Sequence, residues 1–313
     1  MQNALAIWCV SDGKAGHKSQ LNGLLDALRQ RQQCEVHWFD CNAKPLRQAA
    51  ALDRSPQLIL CAGHSTHRCS LYLRWRYGGK LVVLMKPSLP RWLFDLCVVP
   101  RHDGLAGGKN VLLTRGPIND IQPSSRQRED RGLILIGGPS RHHGWDDGQI
   151  LDQLQRLLDT RPGRHWTLTT SRRTPGSFLP ALERLGLSGL EVVPAEQGDR
   201  DWLREQYATS GVIWATEDSA SMVYEALTSG ARVGVLAVPR QHTSRVSRGL
   251  DQLLEEGIAT SLSGAMDSDP APQTDQAAPL CEADRVAQYL VQMIGLQQGN
   301  ATHEGSTGIT PPR

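Results

Sequence analysis

The stretch GVIWATEDSASMVYEALTSG, residues 211–230, decides how the rest of the chain is read. It opens on an apolar run, passes through polar residues from Thr216 to Ser221, and continues as a helical segment that stops at Gly230. A helix start leaves N–H groups without partners, and Asp218 or Ser219 alone is enough to cap them. The other polar groups exceed that need. A buried strand that turns through polar residues into a helix is the unit of a parallel α/β sheet, in which ligands bind beyond the carboxyl ends of the strands.

The same unit recurs on both sides. Residues 133–136 and 165–169 read as strands around a helix at 147–158, and strands at 190–193, 212–215 and 233–236 complete one half of the chain. The first 115 residues repeat the grammar, with strands at 4–10, 35–40, 58–62, 81–85, 96–99 and 111–113 and a helix face at Leu21, Leu24, Leu25 and Leu28. Pro123 to Arg131 is polar and without period, which reads as a linker. The expected architecture is α/β, two Rossmann-like, doubly wound parallel-sheet domains at 1–116 and 132–298, joined by a linker at 117–131 and followed by a disordered tail at 299–313. Residues 264–279, rich in Asp, Pro, Ala and Gln, read as a loose loop. Val286, Tyr289, Leu290, Met293 and Ile294 mark a helix face that docks on one of the two domains.

Composition narrows the function. The 313 residues are 39% hydrophobic and carry a net charge of +2, so nothing in the balance demands nucleic acid and any anion must be bound locally. Seven cysteines, an odd number without a CxxC pair, lie partly inside apolar runs, which suits reduced thiols and neither a disulfide framework nor a zinc site. No window reaches the roughly 18 continuous apolar residues of a membrane span, and Met1 to Ile7 lacks the charged start of a signal peptide. The expected location is the cytoplasm, with peripheral association at the inner membrane left open.

Four polar loops follow strands. Ser11-Asp-Gly-Lys-Ala-Gly-His17 sets Gly13 and Gly16, which let backbone N–H groups approach an anion, beside Asp12, Lys14 and His17. An imidazole beside a carboxylate is the usual equipment of a general base; the plainer reading is a tight turn with a solvated lysine. Gly137, Gly138 and Ser140 can turn amides toward phosphate oxygens, although a simple turn fits as well. Ser171, Arg172 and Arg173 add donors suited to a diphosphate, or form a solvated pair at a strand end. Glu217, Asp218, Ser219, Ser221 and Met222 stand at the helix mouth, where the dipole favours phosphate. Glu225, four residues after Ser221 on the same face, can accept from a ribose diol. Capping plus one surface glutamate is the alternative. His64 and Lys86 also follow strands of the first half.

In this order and spacing, Ser-Asp-Gly-Lys-Ala-Gly-His, Gly-Gly-Pro-Ser, Thr-Ser-Arg-Arg-Thr-Pro and Thr-Glu-Asp-Ser-Ala-Ser-Met-Val-Tyr-Glu-Ala resemble the bacterial relatives of the plant mitochondrial fission factor "elongate mitochondria", over roughly residues 4 to 260. That family also holds proteins assigned as glycosyltransferases of phage and bacterial polysaccharide modification. The resemblance implies a glycosyltransferase fold of the B type, with a nucleoside-diphosphate sugar, UDP-linked by expectation, on the second domain and an unidentified acceptor, a cell-envelope glycan or lipid, on the first. It implies no metal and no cofactor beyond the nucleotide-sugar substrate. Gly16 and His17 are similar in place to the Gly-His of lipid-linked N-acetylglucosaminyltransferases, whose glycine-rich loop is here replaced by Asp-Gly-Lys-Ala. Two other functions stay open, a non-catalytic adaptor of the mitochondrial-fission type and a nucleotide-sugar epimerase of the same fold.

Overall fold

The computed structural model describes residues 4–43, 45–242, 244–265, 269–270 and 280–303. The chain builds two six-stranded sheets, parallel throughout. The first contains β1 (Leu5–Ser11), β2 (Cys34–Asp40), β3 (Leu58–Ala62), β4 (Lys80–Leu84), β5 (Leu96–Pro100) and β6 (Val111–Thr114), with α1 (Ala15–Arg29), α2 (Pro45–Ala50) and α3 (His67–Tyr77) between them. The second contains β7 (Arg128–Leu135), β8 (His165–Thr169), β9 (Leu190–Val193), β10 (Ser210–Thr216), β11 (Arg232–Leu236) and β12 (Thr260–Ser261), with α4 (Asp147–Asp159), α5 (Phe178–Leu185), α6 (Arg200–Thr209), α7 (Ala220–Ser229) and α8 (Arg245–Glu255). A last helix, α9, spans Glu282–His303.

Strand order is β2-β1-β3-β4-β5-β6 in the first sheet and β12-β11-β10-β7-β8-β9 in the second. Burial on both faces explains the continuous apolar runs in the sequence. In β1, Ile7 and Cys9 enter the core shared with α1, while Trp8 and Val10 enter the core on the opposite face. In the second sheet, Leu133 and Leu135 face one core and Ile134 and Ile136 the other.

Three expectations need correction. The linker is neither loose nor fifteen residues of coil, because Ile118 packs into the first core, Ile121 packs into the second, and β7 begins at Arg128. Asn119 Nδ2 donates to Thr228 Oγ1 at 3.0 Å, and a Cβ on Gly23 would fall 1.9 Å from the Asn119 carbonyl oxygen, so α1 lies directly on the connector. The final helix does not close the second domain. Its Ala283, Val286, Ala287 and Leu290 join the core of the first sheet beneath α1, so the chain crosses twice between the halves. That helix also continues through 299–303, the start of the expected tail, while 304–313 lie outside the described residues.

Of the expected loose loop at 264–279 only 264–265 and 269–270 are described, and there Asp269 accepts from Arg161 Nε at 3.1 Å and from Arg164 Nη1 at 2.6 Å. These arginines hold its carboxyl at about 2. Residues 266–268 and 271–279 lie outside the described part. No helix among the described residues is long and apolar enough to cross a membrane.

Candidate active site

Each sheet has one place where strand order reverses, and the polar loops of the sequence collect there. In the first sheet β1 lies between β2 and β3, so the chain leaves β1 and β3 in opposite directions and opens a crevice at their carboxyl ends. The end of β1 supplies Asp12, the first turn of α1 supplies His17, and the loop after β3 supplies Gly63 and Ser65.

Asp12 is the centre of this group. Its Oδ1 accepts from His17 Nδ1 at 2.8 Å and its Oδ2 from Ser65 Oγ at 2.9 Å, while the Lys14 backbone N–H reaches Oδ1 at 3.3 Å. The side chain is 5% exposed. Burial acts to raise its pKa, but the hydrogen bonds from His17, Ser65 and Lys14 outweigh it and hold the carboxyl well below the usual carboxylate range. An ionised carboxylate only accepts, so Nδ1 carries a proton and the neutral ring keeps its lone pair on Nε2. The His17 side chain is 16% exposed, seated yet reachable.

The backbone is shaped around that ring. Gly63 has φ +91°, and a Cβ there would stand 2.4 Å from His17 Cε1. Only glycine lets the β3 loop pass so close. Nothing lies within 4 Å of where side chains on Gly13 and Gly16 would start, so the loop borders open space. Lys14 precedes the first residue of α1 and makes no side-chain cap. A groove of about 450 Å³ adjoins the loop, lined by Ser11, Gly13, Lys18, Trp38 and Asp40 among others.

In the second sheet the reversal lies between β7 and β10. The loops there bond to one another. The Gly137 N–H donates to Thr216 Oγ1 at 2.8 Å and the Gly138 N–H to Asp218 Oδ2 at 3.0 Å. Arg173 Nη2 donates to the same Asp218 oxygen at 2.8 Å and Nη1 to the Gly138 carbonyl at 2.8 Å. Ser171 Oγ donates to the Gly137 carbonyl at 2.9 Å, and Ser140 Oγ accepts the N–H groups of His142 and His143. The expectation that Gly137 and Gly138 turn their amides toward phosphate is therefore overturned. These glycines serve close packing instead, since a Cβ on Gly137 would lie 2.2 Å from the Asp218 carboxylate and one on Gly138 2.2 Å from the Arg173 carbonyl.

The acids of the opening stretch are likewise committed. Asp218 does not cap its helix but clamps the Gly138 loop. Glu217 accepts from the Val238 N–H at 2.9 Å and from Arg240 Nε at 2.8 Å, tying β10 to the segment after β11. It borders a cavity of about 540 Å³ that also touches Gln153, Arg156, Val235, Ala237 and Arg240. Glu225, expected to hold a ribose, accepts from Arg200 on both oxygens, at 2.9 and 3.2 Å, and from Tyr207 Oη at 3.0 Å. Its face of α7 turns to α6, because a buried tyrosine and an arginine supply donors that the linear spacing does not reveal.

The start of α7 remains free. α4, α6 and α8 are capped by the side chains of Asp146, Asp199 and Ser244, whereas Ser219 makes no side-chain cap. The first intrahelical N–H bond runs from Val223 to Ser219, which leaves the amides of Ala220, Ser221 and Met222 at an open helix mouth. Ser221 and Arg172 are exposed.

A third group joins the halves. Asp120 accepts from Ser19 Oγ at 2.6 Å and from both Arg200 and Arg204, and Arg200 continues to Glu225. Burial acts against the Asp120 charge, but Arg200 and Ser19 more than compensate and hold the carboxyl at about 2. Sequence reading missed Asp120, Arg200 and Tyr207. The signal available was an acid between the apolar Ile118 and Ile121, hidden by the polar run that follows. Among the described residues, no group of three or more His, Cys, Asp or Glu side chains is arranged to hold a metal ion.

A family model described as mitochondrial fission ELM1 matches residues 15–294. The chain belongs to that family. An uncharacterised protein of Rickettsia prowazekii is 22% identical to this ELM1-family chain over 75% of its length and 79% of the relative's. Among solved structures, the glycotransferase of kitacinnamycin superposes with a TM-score of 0.56 at 14% identity, covering 95% of this chain and 99% of that one. UDP-GlcNAc 2-epimerase from Neisseria meningitidis, solved with UDP-GlcNAc, gives 0.55 at 12% identity with 94% and 100% coverage. Acinetobacter baumannii MurG gives 0.51 at 11% identity with 94% and 99% coverage. These likenesses cover nearly the whole of each partner. The ELM1-family chain thus has the two-domain fold of B-type glycosyltransferases and their epimerase neighbours.

Proposed function

We propose that this protein transfers a sugar from a nucleoside-diphosphate donor, UDP-linked in the first instance, to an acceptor hydroxyl. The observation that carries the reading is the Asp12–His17 pair at the switch point of the first sheet. Asp12 fixes the tautomer and stabilises the imidazolium, while Nε2 removes the proton from the acceptor hydroxyl as its oxygen attacks the anomeric carbon. The bond from that carbon to the donor diphosphate breaks, and negative charge gathers on the leaving group. The uncapped mouth of α7 at Ala220, Ser221 and Met222 and the exposed Arg172 are suited to receive it. The groove beside Trp38 and Asp40 is suited to an acceptor. The structural neighbours, among them a glycotransferase and a UDP-GlcNAc 2-epimerase, support a nucleotide sugar as the substrate class.

The test is a thermal-shift and turnover screen of the full chain against UDP-, GDP-, CMP- and TDP-linked sugars. Stabilisation by one of the diphosphate-linked classes, with slow release of its nucleoside diphosphate, is the expected result. Interconversion of the sugar without release of nucleotide would instead favour epimerisation. No stabilisation by any nucleotide sugar would leave the adaptor role of an ELM1-type protein as the better account.

A further inference from the structure

The most exposed aromatic residues of the described chain lie together on the first domain. Trp75 and Trp92 are each 77% exposed and Tyr72 is 45% exposed. Arg68, Tyr72 and Arg76 stand at successive four-residue steps and Trp75 three after Tyr72, the spacings that put side chains on one side of α3, and all four are exposed. The Tyr72 and Trp75 rings stand 5.6 Å apart. Trp92 lies on the short turn Arg91–Leu93, which is held against this helix by Arg74 Nη1 donating to the Leu93 carbonyl at 2.9 Å.

Charge singles out the same place. Residues 54–94 contain seven lysines and arginines and not one Asp or Glu, in a chain whose net charge is only +2. The rest of the molecule is therefore net acidic. The next acid along the chain, Asp95, is taken by Arg74 at 3.2 Å and Lys80 at 3.4 Å. Arg68, Arg76 and Arg91 have no carboxylate partner among the described residues.

We propose that this α3 and Arg91–Leu93 face docks on an anionic lipid surface. Tryptophan and tyrosine are the side chains that settle at a membrane interface, with an apolar ring in the acyl boundary and a polar edge at the headgroups. These three arginines, whose charge no described carboxylate neutralises, add attraction to anionic headgroups. The same excess of positive charge opposes a second copy of this chain on the face, because like would meet like. The geometry also relates the surface to the site, since the loop that opens α3 carries Ser65, the hydrogen-bond donor to Asp12. A protein seated on this face presents the Asp12–His17 crevice at a set distance from the bilayer. The proposal stands on exposure and charge and does not require sugar transfer.

The test is flotation of the full chain with phosphatidylcholine vesicles, with and without phosphatidylglycerol. Binding to the phosphatidylglycerol vesicles alone, reversed by added salt, is expected. Trp75→Ser with Trp92→Ser should weaken that binding about tenfold, and Arg68→Glu with Arg76→Glu should abolish it. Because these side chains are exposed, the thermal midpoint of each variant should match wild type. Indifference of the wild type to anionic vesicles would overturn the proposal, as would binding that survives the tryptophan changes. A concentration-dependent dimer lost in the same variants would assign the face to self-association instead.

Discussion

The two switch points differ in what their polar groups face. After β1, three donors converge on one buried carboxylate, and the product is a single oriented imidazole with a free nitrogen. After β7, β8 and β10, the glycine amides, Ser171, Arg173 and Asp218 bond to one another, and the product is a loop cluster held together at Asp218 Oδ2 and the Gly137 and Gly138 backbone. Equal polarity in the sequence therefore hides unequal roles. In the first sheet polarity orients one imidazole and leaves its Nε2 open, and in the second it fixes the frame around an open helix mouth.

The largest expected effect tests the first half of that contrast. His17→Ala should lower nucleoside-diphosphate release about 100-fold or more while donor affinity stays unchanged, because proton transfer belongs to the transition state. His17→Gln should be nearly as poor. Loss of thermal stability with full activity per folded molecule would make His17 a packing residue and erase the difference between the two loops.

Asp218→Ala should act oppositely, on stability first. It leaves the Gly138 amide and Arg173 without their shared acceptor, a loss of about 1–3 kcal/mol measurable by denaturant unfolding. A variant of unchanged stability that no longer binds donor would mean that the second cluster contacts ligand directly.

The inter-domain acid has a pH signature. The Asp120 carboxyl lies at about 2 against an ordinary 3.8, so its stabilising contribution, roughly 2 kcal/mol, is complete above the ordinary value and lost as pH falls through about 2. The gap in thermal midpoint between wild type and Asp120→Asn should therefore close across that acid window. A gap that stays constant would show that the Arg200 and Arg204 contacts contribute nothing through the carboxylate charge.

The smallest effect concerns Lys14. Its Nζ is 3.5 Å from Asp12, but its side chain is 63% exposed, so Lys14→Ala should change stability by no more than about 0.5 kcal/mol and turnover only slightly. A loss of turnover comparable with that of His17→Ala would place donor phosphate on the first loop and sharpen its role beyond proton transfer.

What the linear chain determined is the periodicity and the punctuation. Apolar runs such as 133–136 and 212–215, short and alternating with helical segments, read as strands buried on both faces, which places the polar residues that end them at the carboxyl edges of parallel sheets. Adjacency in sequence also sufficed for Asp12 and His17, five residues apart across one turn into a helix. Partners distant in sequence were decided by the tertiary structure alone. Glu225 reads as a ligand for a diol until Arg200 and Tyr207 are brought to it, and the glycines at 137 and 138 read as open amides until Thr216 and Asp218 close over them. The connector reads as loose until Ile118 and Ile121 find separate cores. A polar side chain announces its chemistry in the sequence, but whether that chemistry is spent inside the fold or left for a ligand depends on which other donors and acceptors the packing delivers within about 3 Å.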